Sequence, residues 1–343
     1  MDASFHSHEL PVEDPFTIAR GTTGTTDAFV VRLEHEGVVG VGGGTPSAYY
    51  GESPDSVADV LPDLLAIVED VDDPHAGQRI ADRLSRRAPD APAARAAVST
   101  ALADLAARDL GVPLYRQWGL DPDVAPPTSY TVGIADPEEM ADRTRSAIEA
   151  GFDHLKVKLG TDDDRARFDA VREAAPNAAI RVDANEGWDA DEAVAKADWL
   201  AAADVEFLEQ PVPASDLDGL RRITAETSLP VCADEACVTA SDVPRVADAC
   251  DLVTVKLMKC GGLRPALEQI HTARAHGLDV MLGCMVESNA SIAPACHLAP
   301  LVDYADLDGA LLLAEDVCEG IPVEHGAFDL RAVASGTGAR LVE

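Results

Sequence analysis

The stretch His154-Leu155-Lys156-Val157-Lys158-Leu159-Gly160 decides the fold. Alternate residues of a strand share a face, so His154, Lys156 and Lys158 lie on one side and Leu155, Val157 and Leu159 on the other. The apolar side suits packing on helices. The other side turns two lysines inward, which is costly in a closed core but tolerable at the open, C-terminal mouth of a barrel. Gly160 ends the run just after Lys158 and so puts both there. Lysine is scarce enough for this to matter: only five of the 27 Lys+Arg residues are lysine. Four fall in two pairs, Lys156 with Lys158 and Lys256 with Lys259, while Lys196 stands alone.

Outward from this stretch, β-like runs recur at Ser129–Val132, His154–Leu159, Ala179–Ala184, Val205–Leu208, Pro230–Ala233, Leu252–Leu257, Asp279–Gly283 and Val302–Leu307. Their starts are about 25 residues apart. Stretches with helical spacing, such as Pro137–Ala150 and Asp191–Ala203, lie between them. Eight strands alternating with helices predict a parallel α/β barrel. A doubly wound open sheet competes, but no glycine-rich fingerprint follows the first strand of any unit. The string Gly40–Gly44 (GVGGG) leads into Thr45-Pro46, not a helix, and reads as a turn.

Residues 1–125 differ in kind. Ala28–Leu33 and Gly37–Val41 read as a hairpin turning at Glu34–Glu36, and Ser53–Val68, Ala76–Arg87 and Ala91–Leu110 read as helices. Leu110-Gly111-Val112-Pro113 carries a helix-stop signal. The expected organisation is an α+β capping domain over 1–125, a barrel over 126–310, and a tail over 311–343 that packs back on the cap.

The 61 Asp+Glu residues leave a net charge of −34. That charge argues against nucleic acid or anionic membranes as partners and leaves a small molecule. The acids interleave with periodic apolar positions, so the chain is not expected to be disordered. A salt-rich cytoplasm accounts for the charge, because screening there weakens self-repulsion. No apolar run reaches the roughly 18 residues that span a bilayer, and MDASFHSHELPVED lacks the form of a signal peptide. Seven cysteines without framework spacing read as reduced thiols, again placing the protein in the cytoplasm.

Three carboxylates end consecutive runs in matching register: Asp183 after Ile180-Arg181-Val182, Glu209 after Val205-Glu206-Phe207-Leu208, and Asp234 after Val231-Cys232-Ala233. With 61 acids in 343 residues, three such hits by chance run to roughly 0.006. Three carboxylates at one rim, completed by water or a substrate oxygen, suit Mg²⁺. Cys232 and Cys237 have no second pair to make a zinc site and read as core. Lys256 follows Leu252-Val253-Thr254-Val255, with Thr254, Lys256 and Met258 in phase and Lys259 beyond the strand. The second and sixth strands of an eight-stranded barrel face each other. Lys158 and Lys256 are thereby placed to remove a proton from one side of a carbon and return it on the other. Nearby cations are expected to lower the lysine pKa, and a metal to stabilise the enolate oxygens.

Here the chain resembles a known family. Lys156-Val157-Lys158, Asp183-Ala184-Asn185, Glu209-Gln210-Pro211, Ala233-Asp234-Glu235 and Val255-Lys256-Leu257-Met258-Lys259-Cys260-Gly261-Gly262 look like the muconate lactonizing subgroup of the enolase superfamily. The resemblance covers nearly the whole chain and implies a (β/α)7β barrel under an N-terminal α+β cap. It implies Asp183, Glu209 and Asp234 as Mg²⁺ ligands, with Asn185 and Glu235 supporting them. It implies Lys158 and Lys256 as the acid/base pair and Lys156 as a holder of the substrate carboxylate. It also suggests a homo-oligomer.

Within the subgroup, Asp306-Leu307-Asp308 matches the feature by which dipeptide epimerases hold a substrate α-ammonium. A muconate carries no amine, so acids there would suit a cycloisomerase poorly. Pro15–Gly21 resembles the start of the mobile specificity loop, from which Arg20 would reach the dipeptide's far carboxylate. Gly283–Ser288 resembles the seventh-strand end, where Glu287 would line the site. Gly42-Gly43-Gly44 departs from the family's frequent Gly-Glu-Ala, which bears on loop contacts and specificity.

The expected activity is Mg²⁺-dependent epimerisation at the α-carbon of an L,L-dipeptide's C-terminal residue, a 1,1-proton transfer through an enediolate. The alternatives are a muconate-type cycloisomerase or an o-succinylbenzoate synthase/N-acylamino acid racemase on the same site. A non-catalytic metal-binding scaffold is the alternative of another class, and it has no need of two opposed lysines.

Overall fold

The computed structural model describes residues 1–342. Glu343, the last residue of the expected tail, lies outside the described residues. The chain opens with a three-stranded antiparallel sheet: β1 (Asp2–Ile18), β2 (Gly21–His35) and β3 (Val38–Gly44). The β2–β3 hairpin turns at Glu36 and Gly37, both with positive φ as such tight turns require. β1 has no counterpart in the sequence reading. It is an edge strand whose apolar alternation comes in two short stretches, Ala3–Phe5 and Leu10–Val12, that are out of phase with one another in the sequence and interrupted by polar residues.

The expected turn at Gly40–Gly44 is instead the body of β3. The helices α1 (Pro54–Val71), α2 (Gly77–Arg87) and α3 (Pro92–Asp109) explain why. α3 is alanine-rich and lies directly on β3. A Cβ at Gly42 would fall 2.1 Å from the Ala101 nitrogen, and one at Gly44 2.2 Å from the Ala93 oxygen. The glycines remove side chains so that helix and strand backbones can approach. At Gly43 a Cβ would meet the Ala290 Cβ at 2.7 Å, so the glutamate common in the family has no room here without a shift. α1 begins with a Ser53–Ser56 capping box and buries Val57, Leu61, Leu64, Leu65 and Val68, one helical face. A one-turn helix, α4 (Leu114–Gln117), follows.

The eight expected strands are all present, within two residues of their expected bounds: β4 (Tyr130–Val132), β5 (His154–Lys158), β6 (Ala179–Asp183), β7 (Val205–Glu209), β8 (Val231–Ala233), β9 (Leu252–Lys256), β10 (Asp279–Gly283) and β11 (Tyr304–Asp306). They pair in parallel in chain order. The Ser129 N–H donates to the Ala305 carbonyl at 3.1 Å and links the last strand back to the first. The crossovers are α5 (Pro137–Glu149), α6 (Asp164–Ala174), α7 (Ala190–Ala202), α8 (Leu217–Glu226), α9 (Val243–Val246), α11 (Leu263–Ala275) and α12 (Asn289–Cys296), with the one-turn α10 (Leu257–Cys260) closing β9. A single 3₁₀ turn follows β11 in place of an eighth helix, so the barrel is (β/α)7β.

Side chains fill the lower barrel. Phe207, Cys232, Leu252 and Met281 pack there with Tyr304, and the Arg181 guanidinium lies 5.1 Å from the Tyr304 ring and bonds the Ala305 carbonyl. Arg181 of β6 is the charged group at that level and is paired with Glu206 of β7, whereas the lysines of β5 and β9 and the carboxylates that end β6 and β7 lie at the C-terminal mouth. The tail returns to the cap. Buried Asp104 of α3 accepts from Val41 N with one oxygen and from Thr337 N and Oγ1 with the other. All seven cysteines are free, and six are buried. Among the described residues no helix is long and apolar enough to cross a membrane.

Candidate active site

At the mouth, Lys158 ends β5 and donates to Asp183 Oδ2 of β6 at 2.6 Å. Lys256 ends β9 and donates to Asp234 Oδ2 at 2.8 Å. Three strands lie between β5 and β9 on either side of the eight-stranded ring, so the two lysines come from opposite sides of the barrel. Lys156 is almost wholly buried, 2.8 Å from Glu209 Oε2, 2.8 Å from Asp306 Oδ2 and 3.2 Å from Asp183 Oδ2. Asp183 and Glu209 are register partners, and Asp234 lies just beyond β8, so the three carboxylates occupy consecutive strand ends with no exposure.

Arg20, Lys156, Lys158, Asn185, Lys256, Asp306 and Asp308 share one cavity of about 370 Å³ between cap and barrel. Asp306 accepts from Ser129 Oγ at 2.6 Å and from Lys156, and Asp308 accepts from Thr131 N at 2.6 Å and Thr131 Oγ1 at 3.1 Å. Glu287 does not line this cavity. Its two oxygens are taken by Met285 N at 2.7 Å and Ser291 Oγ at 2.6 Å, which turn it into the wall. Arg20 comes down from the β1–β2 turn, but its guanidinium is engaged by Glu235 at 2.6 Å, Glu186 at 3.1 Å and the Asn185 carbonyl at 3.0 Å.

The electrostatics follow from burial set against pairing. Burial alone would push Asp183 and Asp234 up, but Lys158 and Lys156 beside the first, and Lys256 and Lys259 beside the second, hold both well below the usual carboxylate range. Glu209 has weaker help and is pushed up to about 7 by burial and by Asp183. Asp308 is likewise pushed up to about 7 by burial and Asp306. Burial would lower Lys256, yet Asp234 outweighs it and raises the ammonium above its ordinary value. Among the side chains around it, Lys156 lowers it as expected of a neighbouring cation, but the carboxylates Asp234, Glu209 and Glu235 outweigh it.

By chemistry the donor set suits a hard divalent cation, although lysine ammoniums lie on these carboxylates and, among the described residues, no three of them converge as a bound ion would draw them. The set is all oxygen, from three adjacent strand ends, and three buried oxygens there have no hydrogen-bond partner: Glu209 Oε2, Asn185 Oδ1 and Glu235 Oε2. Glu209 Oε2 is close to Lys156, but outside hydrogen-bonding angles. Asn185, Glu186 and Gln210 all adopt positive φ just past β6 and β7, backbone strain concentrated at the rim.

Several contributors escaped the sequence reading. Lys259 lies beyond the strand as expected, but its role was not foreseen. It is fully buried in α10 and donates to the Asp234 carboxylate and to the carbonyls of Asp234, Cys237 and Thr254. Met258, expected in phase with Lys256, also lies in α10, where its sulfur accepts from Thr45 N. Gln210 Oε1 accepts from Asp234 N and Ala236 N, and Thr254 Oγ1 donates to Glu209 Oε1 at 2.9 Å. The rarity of lysine was the one available signal for Lys259.

Together the cap, the (β/α)7β barrel and the rim of carboxylates and lysines define an enolase-type protein. The mandelate racemase / muconate lactonizing enzyme N-terminal domain matches residues 2–119, and the enolase C-terminal domain-like family matches 139–343. The chain belongs to the mandelate racemase / muconate lactonizing enzyme family of the enolase superfamily. It is 37% identical over 331 residues to an L-Ala-D/L-Glu epimerase of Bacteroides thetaiotaomicron, covering 96% of this chain and 85% of that one. It is 36% identical to a hydrophobic dipeptide epimerase of Roseobacter litoralis, covering 95% of each. The crystal structure of a dipeptide epimerase from Enterococcus faecalis with Mg and L-Leu-L-Tyr superposes with a TM-score of 0.92 at 32% identity, covering 98% of each chain.

Proposed function

We propose that this chain is a Mg²⁺-dependent dipeptide epimerase that inverts the α-carbon of the C-terminal residue by 1,1-proton transfer. The observation that carries this reading is one cavity holding two lysines from opposite strands together with the Asp306–Asp308 pair. The similarity to dipeptide epimerases supports it.

Asp306 and Asp308, held in place by Ser129 and Thr131, receive the substrate's α-ammonium. Lys156 anchors the carboxylate end. Lys158 and Lys256 stand on the two faces of the reacting carbon: one takes the α-proton and the other, as its ammonium, returns a proton to the opposite face. Asp183, Glu209 and Asp234 would hold Mg²⁺, whose charge stabilises the negative charge developing on the substrate carboxylate. Asn185 and Glu235 support these ligands. The cap covers the cavity and excludes water.

The residues 1–125 cap, residues 126–310 barrel and residues 311–343 tail are proposed as the functional division, in a cytoplasmic, salt-adapted homo-oligomer. The test is proton exchange by NMR, incubating the folded protein with pooled L,L-dipeptides, Mg²⁺ and molar KCl in D₂O. Deuterium at a C-terminal α-carbon with a new diastereomer is expected. No exchange by folded, Mg²⁺-loaded protein would defeat the dipeptide reading and bring muconates and N-acylamino acids forward.

A further inference from the structure

We propose that the cap end of the cavity takes an uncharged, apolar side chain of the dipeptide and rejects an acidic one. This rests on the dipeptide reading above. Apart from the lysines of the barrel mouth, Arg20 is the cation among the cavity's lining residues, and it is not free. Its Nη2 is 2.6 Å from Glu235 Oε1, and its Nη1 donates to Glu186 Oε2 and to the Asn185 carbonyl. The guanidinium also lies over the Tyr49 ring, 4.5 Å from its centre, while Tyr49 Oη donates to Glu186 Oε1 at 2.9 Å. Ala214 N donates to that same oxygen at 2.6 Å. Two carboxylates thus face one guanidinium: Glu186 is held on its other oxygen by Tyr49 and Ala214, and Glu235 Oε1 also accepts from Asn185 Nδ2 at 3.3 Å.

To turn Arg20 toward an acidic substrate would strip Glu235, whose side chain is only 1% exposed, of its cation and leave a buried charge unpaired. The rest of the cap end offers no replacement. Phe16, Ile18, Met285, Val286 and Leu312 make it apolar, threonines add hydroxyls, and the remaining charge is Asp27, which would repel an acid. Arg20 therefore acts here as a latch between the β1–β2 turn and the β6 loop, not as a receptor for a distant carboxylate.

The test compares kcat/KM, with Mg²⁺ and molar KCl, for L-Ala-L-Xaa and L-Xaa-L-Ala with Xaa as Leu, Glu or Lys. Two series are needed because either residue could face the cap. Leu is expected to exceed Glu by about tenfold or more in one series. The absence of such a gap in both series, or a similar preference for Lys over Leu, would overturn the proposal. Turnover of none of these dipeptides by folded protein would instead overturn the epimerase reading beneath it. Glu186→Gln should free one edge of Arg20 and narrow the Leu-over-Glu gap by about threefold or more. An unchanged gap in a folded variant would count against the charge argument.

Discussion

Lys259 Nζ lies 2.6 Å from Asp234 Oδ1 and 2.7 Å from the same residue's carbonyl oxygen, while Lys256 binds the other carboxylate oxygen. One lysine thus fixes the position of a proposed Mg²⁺ ligand so that the other can work beside it. Lys259→Met would leave three carbonyls and a buried carboxylate short of a donor. It is expected to cost about 3 kcal/mol of stability and to weaken Mg²⁺ binding by about tenfold. Urea unfolding and calorimetric Mg²⁺ titration measure both, and wild-type values in each would remove Lys259 from this role.

Lys158→Met and Lys256→Met separate chemistry from metal binding. Each should lower turnover by about 10²–10⁴-fold, while Mg²⁺ titration still shows binding. A variant that keeps full activity would dismiss that lysine as an acid/base group. The scaffold alternative predicts no activity to lose.

His297 reports on the joint between cap, barrel and tail. Its Nδ1 is 3.1 Å from Tyr115 N and its Nε2 3.0 Å from the Thr337 carbonyl, which requires the neutral ring. Burial lowers its pKa from 6.5 to about 4. Between those values the unfolded chain binds a proton and the folded one does not, so stability falls as pH drops from 6.5 towards 4 and no further below. The shift corresponds to about 3 kcal/mol. Thermal melts of wild type and His297→Gln between pH 7 and 4 test it: the variant should lose this part of the pH dependence, and parallel curves would refute the assignment.

Gly42→Ala probes the closeness of β3 and α3. The added Cβ meets the Ala101 nitrogen at 2.1 Å, which is helix backbone and cannot swing aside, and the Thr100 Oγ1 at 2.4 Å. A destabilisation of about 2 kcal/mol or more is expected in chemical denaturation. An unchanged midpoint would mean that the sheet can lift off the helix without loss.

Salt should matter more than for an ordinary protein. With a net charge of −34, lowering KCl from molar to millimolar unscreens the surface acids and should lower the thermal midpoint. Identical midpoints would argue against salt adaptation.

Local sequence carried the barrel because the strands are short and apolar on their helix-facing side, and the unit of strand, loop and helix recurs. Lys158, Asp183, Glu209, Asp234 and Lys256 were legible for the same reason: a strand's alternation and its end decide where such side chains point. The glycines of β3 and the whole of β1 were not, since one owes its form to α3 and the other is an edge strand whose apolar residues change phase between Phe5 and Leu10. Distance along the chain explains the rest. Nothing near Arg20 tells that Glu186 and Glu235, more than 160 residues away, will hold it. Nothing near Lys259 tells that α10 folds it back under Asp234. The sequence by itself determined the barrel, its cap and the residue types at the mouth. Only the tertiary structure decided which buried charge pairs with which, because pairing depends on burial and on distances that closure of the barrel creates.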